Sequence, residues 1–258
     1  MANVSQLYKL RLFSLDDVIH TMHLSKAGAA SSLRRWQEQG IIKMIRRNMY
    51  TVIDPATDAP LVSRYELASD ITSDSYVGWH TALEFHGFAH QPFYNAYVAS
   101  GSRFKDLFFD GVGYEYAHTS IPATEENGVV RPMGNPYVRV TDLERTIVDC
   151  CDRIDRAGGI EELLHCLEGI TLLDETKLIK YLQLYAKAFL YQKTGFILEQ
   201  TIPRDIVSPE FIEFCRGKGA THTKRLTNSN DSDTFIKEWY LYVPHDILTS
   251  KEYSYELV

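Results

Sequence analysis

Four cysteines in 258 residues, none spaced CxxC, are too few and too scattered for a disulfide framework or a four-thiolate zinc site. Cys150 and Cys151 are adjacent within a predicted helix, where neighbouring side chains point apart. With Cys166 and Cys215 they read as structural free thiols. No apolar run approaches the ~20 residues that a bilayer-spanning helix needs, and the start of the chain has no signal-peptide pattern, so a cytoplasmic protein is expected. GxSxG, GxGxxG, phosphate-loop and HExxH patterns are all missing, and with them the usual sequence marks of several enzyme classes. There is no internal repeat and no low-complexity tract. Neither an enzyme nor a bound cofactor is expected.

What is present is a soluble globular composition, 45% apolar and 24% charged, long enough for one large domain or two ordinary ones. The net charge of −7 conceals a split. Residues 1–53 hold eight basic side chains (Lys9, Arg11, Lys26, Arg34, Arg35, Lys43, Arg46, Arg47) and three acidic ones (Asp16, Asp17, Glu38). That gives a head of +5 on a body of −12. A basic head on an acidic body points to the head as the part that meets phosphate.

The head has a readable order. A short helix is expected within residues 4–12. Ser14 then has the character of an N-cap, with Asp17 in a capping-box position and Leu15, Val18, Ile19 and Met22 on one helical face. A second helix opens at Ser25. At about 100° per residue, Ala29, Leu33 and Trp36 share one side, while Ala27, Ser31, Arg34, Arg35 and Glu38 lie opposite. Gly28 fits poorly in a helix interior, so it either permits a close approach or the helix begins later. Gly40 ends the helix, and residues 41–45 and 50–53 read as strands around Arg46-Arg47-Asn48, where asparagine suits a left-handed turn.

Helix, turn, helix, glycine and basic hairpin in this order predict a winged helix-turn-helix. Ser25, Lys26, Ala27, Ser31, Arg34 and Arg35 are expected to approach the major groove. Small residues let the backbone come close, and arginines reach phosphate or guanine. Arg46 and Arg47, with Lys43 and Asn48 beside them, are expected to hold the wing on the neighbouring DNA backbone.

Residues 54–60, with two prolines and no periodicity, read as a linker between a DNA-binding domain (1–56) and a larger mixed α/β domain (61–258), an α/β (α+β) architecture overall. The larger domain is expected to hold helices over 61–71, 79–86, 160–167, 175–186 and 189–199, and strands over 95–100 and 113–117. Thr141 reads as the cap of a further helix, with Glu144 completing a capping box, and residues 239–243 read as a last strand before Pro244.

Little chemistry stands out there. His80 and His86 are six apart rather than the four of a helical zinc pair, and with His90 read as core or surface histidines. Asp149, Asp152 and Asp155 have the spacing of a solvated helix face. Arg216, Lys218, Lys224 and Arg225 read as a solvated basic loop.

The segments RRNMYTVI, WHTALEFHGF, VTDLERTIVDC and KTGFILEQ, in this order between Phe13 and Glu199, resemble the AbiEi family of type IV toxin–antitoxin systems. Family members usually carry glycine in the wing turn, where this chain has Asn48. The resemblance is least over 201–258. It implies a winged helix that binds inverted repeats in its own promoter and a C-terminal domain with the antitoxin role. It also implies a nucleotidyltransferase-like toxin as functional partner, opposed without a stable complex. A monomer or weak dimer is expected, with pairing on DNA left open. Two other readings stay open: a ligand-sensing winged-helix regulator, and a DNA-guided nuclease.

Overall fold

Ser14 opens the first substantial helix as its sequence predicts. In the computed structural model, which describes residues 6–227, 232–245 and 247, the Ser14 hydroxyl accepts from the Asp17 amide. The Asp17 carboxylate accepts from the Ser14 amide at 2.7 Å, closing the capping box of α2 (Leu15–Met22). A single-turn helix, α1 (Leu7–Leu10), and a short strand, β1 (Leu12–Phe13), precede it; Val4 and Ser5 of the expected helix lie outside the described residues.

The next helix, α3 (Lys26–Glu38), begins one residue after its cap. The Ser25 hydroxyl accepts from the Gly28 amide at 3.2 Å, so Gly28 lies in the first turn rather than the interior. At the other end Gly40 takes φ +70°, its amide reaches the Gln37 carbonyl, and the Ile41 amide reaches the Trp36 carbonyl. This paired closure satisfies two carbonyls that the helix end would otherwise leave bare.

Strands β2 (Ile42–Arg46) and β3 (Met49–Asp54) then pair antiparallel around Arg47-Asn48, with Asn48 at φ +59°. Strand β1 pairs on the other edge of β3, giving the order β1-β3-β2. Leu7, Phe13, Val18, Ala29, Leu33, Trp36, Ile42 and Val52 form the head's core. Trp36 is its largest member and is 1% exposed; truncation to alanine would cost about 3–5 kcal/mol.

The stretch expected as a linker is a tight hairpin. The Thr57 and Asp58 amides reach the Asp54 carbonyl, and β4 (Ala59–Pro60) pairs back on β3. Composition alone missed this because two prolines and a φ > 0 aspartate, Asp58, serve a turn as well as a linker.

Beyond it come α4 (Arg64–Asp70), β5 (Tyr76–Val77), α5 (Trp79–Phe85), β6 (Asn95–Ser100), β7 (Leu107–Phe109), β8 (Val112–His118), β9 (Val129–Val130) and β10 (Val140–Thr141). The strands make one six-stranded mixed sheet in the order β7-β8-β6-β5-β10-β9, parallel at β6–β8 and β5–β10. Helices α6 (Leu143–Asp152), α7 (Ile160–Glu168), α8 (Glu175–Tyr185), α9 (Ala188–Thr201) and α10 (Pro209–Lys218) follow. A small sheet, β11 (Lys224–Arg225), β12 (Ser232–Ile236) and β13 (Leu241–Pro244), closes the described part in the order β11-β13-β12. The fold class is the mixed α/β expected.

Three details differ from the sequence reading. The cap of α6 is Asp142, whose carboxylate accepts from the Arg145 amide, while Thr141 belongs to β10 and Glu144 accepts instead from the Asp174 amide. Helix α10 was not expected, although Ser208 before Pro209 is a helix start; the Ser208 hydroxyl accepts from the Phe211 amide. Strand β13 begins at Leu241 because a 3-10 turn over Lys237–Trp239 ends at Tyr240 with φ +49°.

Candidate nucleic-acid interface

Helix α3 turns its apolar stripe inward and leaves a continuous outer face. Ala29, Leu33 and Trp36 are buried; Lys26, Ala27, Ser31, Arg34 and Arg35 are all exposed. Ser25 is exposed too, but its hydroxyl is spent on the cap. Among the described residues, nothing pairs with Lys26 or Arg35. Arg34 meets Glu38 at 3.0 Å, with both side chains well exposed. A pair of that kind is worth about 0.3–0.5 kcal/mol and yields easily to a phosphate.

The four hairpin residues expected to meet DNA divide into two groups. Arg47 is exposed at the tip with no partner among the described residues. Asn48 turns the hairpin, and its Oδ1 accepts from the Leu15 amide at 2.9 Å, fixing the hairpin tip to the first turn of α2. Arg46 and Lys43 point to the body instead. The half-buried Arg46 guanidinium donates to the Ile71 carbonyl at the end of α4. Lys43 Nζ lies 3.4 Å from Asp110 Oδ1 and 5.2 Å above the Phe109 ring. The structure therefore collects Lys26, Ala27, Ser31, Arg34 and Arg35 on one free helix face. It engages Lys43 and Arg46 at the junction with the body.

That junction is built from packing as well as charge. Ile45 is buried in a cluster with Val62, Leu67, Val98 and Val140, against which Leu12 and Met49 also pack. Arg11, held at φ +55°, donates to Glu66 at 2.7 Å and to the Leu61 carbonyl at 2.5 Å. Beside it lies a cavity of about 220 Å³ bordered by Glu66, Asp70, Arg131, Tyr137 and Arg139. Burial pushes the Asp70 carboxyl up, although Arg139 opposes the shift.

Several of the body's polar residues are bound up in its core. Asp149, expected on a solvated face, is 1% exposed and meets the fully buried Arg145 at 2.6 Å. Tyr185 donates to the same carboxylate at 2.7 Å, and Arg145 donates to the Asn127 carbonyl at 2.6 Å. Burial alone would lower the Arg145 pKa, but the Asp149 charge outweighs it and holds the guanidinium firmly protonated. Arg145 stands four residues before Asp149 amid Ile147, Val148 and Cys150; this ion-pair spacing inside an apolar run could have revealed the burial. Arg216, expected in a solvated loop, pairs with Glu199 and Glu213 and lies 4.9 Å over the Trp239 ring.

One group among the described residues has the makings of a metal site: His80, Glu162 and Cys166, all buried, with donor atoms within 4.8 Å of one another. Glu162 and Cys166 are four apart on α7, a spacing visible in the sequence, but their partner His80 is 82 residues from Glu162.

No family model matches the chain, and no curated protein matches it. Among solved structures the chain is similar to the RV2827C protein from Mycobacterium tuberculosis. The TM-score is 0.68 at 15% identity, covering 96% of this chain and 93% of that one. At that identity the likeness shows the shared mixed α/β fold and carries nothing about activity. No helix among the described residues is long and apolar enough to cross a membrane.

Proposed function

We propose that the protein is a DNA-binding transcriptional autorepressor and type IV antitoxin that counteracts a nucleotidyltransferase-like toxin. The observation that carries the DNA-binding half is the outer face of α3, where Lys26, Arg34 and Arg35 stand exposed beside the small Ala27 and Ser31. In this reading α2 and α3 are the helix-turn-helix and the β2–β3 hairpin is the wing of a head spanning residues 1–56. Small residues at the front of α3 admit a groove wall, and Arg34 and Arg35 follow one turn later. The antitoxin half rests on the resemblance of four ordered segments to the AbiEi family, and it belongs to the body, residues 61–258.

The reading has a quantitative consequence. Lys26, Arg34 and Arg35 on α3 and Arg47 at the hairpin tip are four exposed head cations that the junction does not hold. If each neutralises one phosphate, log K against log salt has a slope of about −3.6 per protomer. Retardation of the protein's own promoter DNA, measured across a salt series against scrambled competitor, tests this. A slope near zero, or equal affinity for the competitor, would overturn it. Co-expression with the neighbouring toxin tests the antitoxin half, since rescue of growth is expected and unrelieved toxicity would reject it.

A second reading, a regulator that senses a small molecule, is favoured by one observation. The junction cavity lies between the head and the body and is bordered by both acidic and guanidinium groups. A ligand there would act on the contacts that dock the head. At about 220 Å³ the cavity is smaller than the roughly 300–1,000 Å³ of typical ligand sites, which leaves this reading second.

A further inference from the structure

Glu162 is a carboxylate in the wrong company for its burial. It is 3% exposed, and its Oε1 accepts from the His80 ring at 3.1 Å and the Cys166 thiol at 3.3 Å. The same oxygen accepts from the amides of His90 and Gln91 at 3.1 and 3.3 Å. Its Oε2 is buried and accepts no hydrogen bond. Among the described residues no lysine or arginine pairs with it; its candidate counter-charges are two histidines, the buried His80 with Nε2 3.1 Å from Oε1 and the largely exposed His90 with Nδ1 3.7 Å from Oε2. Buried carboxylates are ordinarily paired with a cation or bound to a metal, because an unpaired buried charge is costly.

The surrounding donors fit the second solution. Glu162 and Cys166 sit one turn apart on α7 and share a face. His80 arrives from α5 with its ring stacked 3.6 Å from that of Phe93, which sets its orientation. In a tetrahedral zinc site, bonds of about 2.0–2.3 Å put neighbouring donor atoms roughly 3.3–3.6 Å apart. The His80–Glu162 and Glu162–Cys166 separations of 3.1 and 3.3 Å are already close to those edges.

We propose that His80, Glu162 and Cys166 form a structural site for a divalent zinc-class cation, with His90 closing the fourth position. Imidazole, thiolate and carboxylate together favour zinc over magnesium or calcium, which prefer all-oxygen shells. Binding sends the Cys166 thiol proton to solvent and leaves the sulfur as thiolate. The cation supplies Glu162 with a permanent counter-charge, which no lysine or arginine provides, and pins the 88–93 loop between α5 and α7. The site is independent of the DNA-binding reading and stands or falls separately from it.

Cobalt substitution of the full-length protein tests the proposal without any variant. Tetrahedral Co²⁺ on a thiolate gives a sulfur-to-metal charge-transfer band and intense visible bands, and one equivalent of Zn²⁺ should abolish both. Cys166→Ser should remove the charge-transfer band and weaken zinc binding by more than about 100-fold, beyond what loss of an outer-shell partner costs. Cys215→Ser should leave both unchanged, and His90→Ala should weaken binding by at least about tenfold. Folding of each variant is checked by circular dichroism; if Cys166→Ser does not fold, the wild-type cobalt spectrum decides. A folded wild-type protein that takes up no stoichiometric zinc, or a cobalt spectrum with no thiolate band, would overturn the assignment.

Discussion

Arg46 donates its guanidinium to the carbonyl of Ile71, tying the first strand of the head's hairpin, β2, to the end of the body's first helix. The contact separates two arginines that are adjacent in sequence. Arg46 holds the head in place, while Arg47 at the hairpin tip has no partner among the described residues.

The first prediction follows from that division. Arg46→Ala should lower stability by about 1.5–3 kcal/mol, the worth of a charge-assisted hydrogen bond, and leave the salt slope of DNA binding unchanged. Arg47→Ala should do the reverse, flattening the slope by about 0.9 with little effect on stability. Urea titration and salt-dependent retardation of the two variants measure both quantities.

The Arg145–Asp149 pair should be intolerant of half-removal. Asp149→Ala leaves a buried guanidinium without its charge partner, and a loss of about 3–5 kcal/mol is expected in urea denaturation. Replacing both by apolar residues of similar volume should cost less than the single change. A double variant at least as unstable as the single one would show that the pair contributes more than the avoidance of an orphaned charge.

Stability should fall in acid partly through Asp74. Burial pushes its carboxyl up, but hydrogen bonds from Ser100, Thr72 and Ser102 outweigh that and hold it well below the usual range. A group with a depressed folded pKa contributes its full stabilisation above the unfolded value of about 3.9 and loses it as pH falls towards the folded value. Asp74→Asn should therefore lower stability near neutrality and lose less between pH about 5 and about 2 than the wild type. Parallel loss in both proteins would remove Asp74 from the account.

Two glycines should respond differently to alanine. Gly40 has φ +70°, so Gly40→Ala should destabilise by about 1 kcal/mol or more. Gly28 has no such backbone demand, but an added Cβ would lie 3.2 Å from Ser25 Oγ, the atom that caps the helix. The usual helical gain of about 1 kcal/mol from Gly28→Ala should therefore be small or lost. Thermal unfolding of the two variants distinguishes the cases.

The head was legible in the sequence because its controls are local. Ser14 with Asp17, Ser25, Gly40 and Asn48 each act within a few residues, and apolar periodicity settled which face of α3 is buried. Where a side chain's partner lies far along the chain, the sequence does not show it. Lys43 and Arg46 resemble free wing cations until Asp110 and Ile71, 67 and 25 residues away, are brought beside them. Asp149 resembles a surface carboxylate until Arg145 is seen to be buried with it. His80 is the core histidine its sequence suggests, but the Glu162 it meets lies 82 residues later. The Thr141–Asp142 displacement is of a different kind. Either residue can cap, and the pairing of Thr141 in β10 decided between them.

The most direct test of the central claim is retardation of promoter DNA by a folded Arg34→Ala/Arg35→Ala double variant. Losing two of four phosphate contacts should weaken binding and bring the log–log salt slope from about −3.6 to about −1.8, with stability unchanged. Wild-type affinity and an unchanged slope in that variant would contradict the assignment of α3 as the helix that meets DNA.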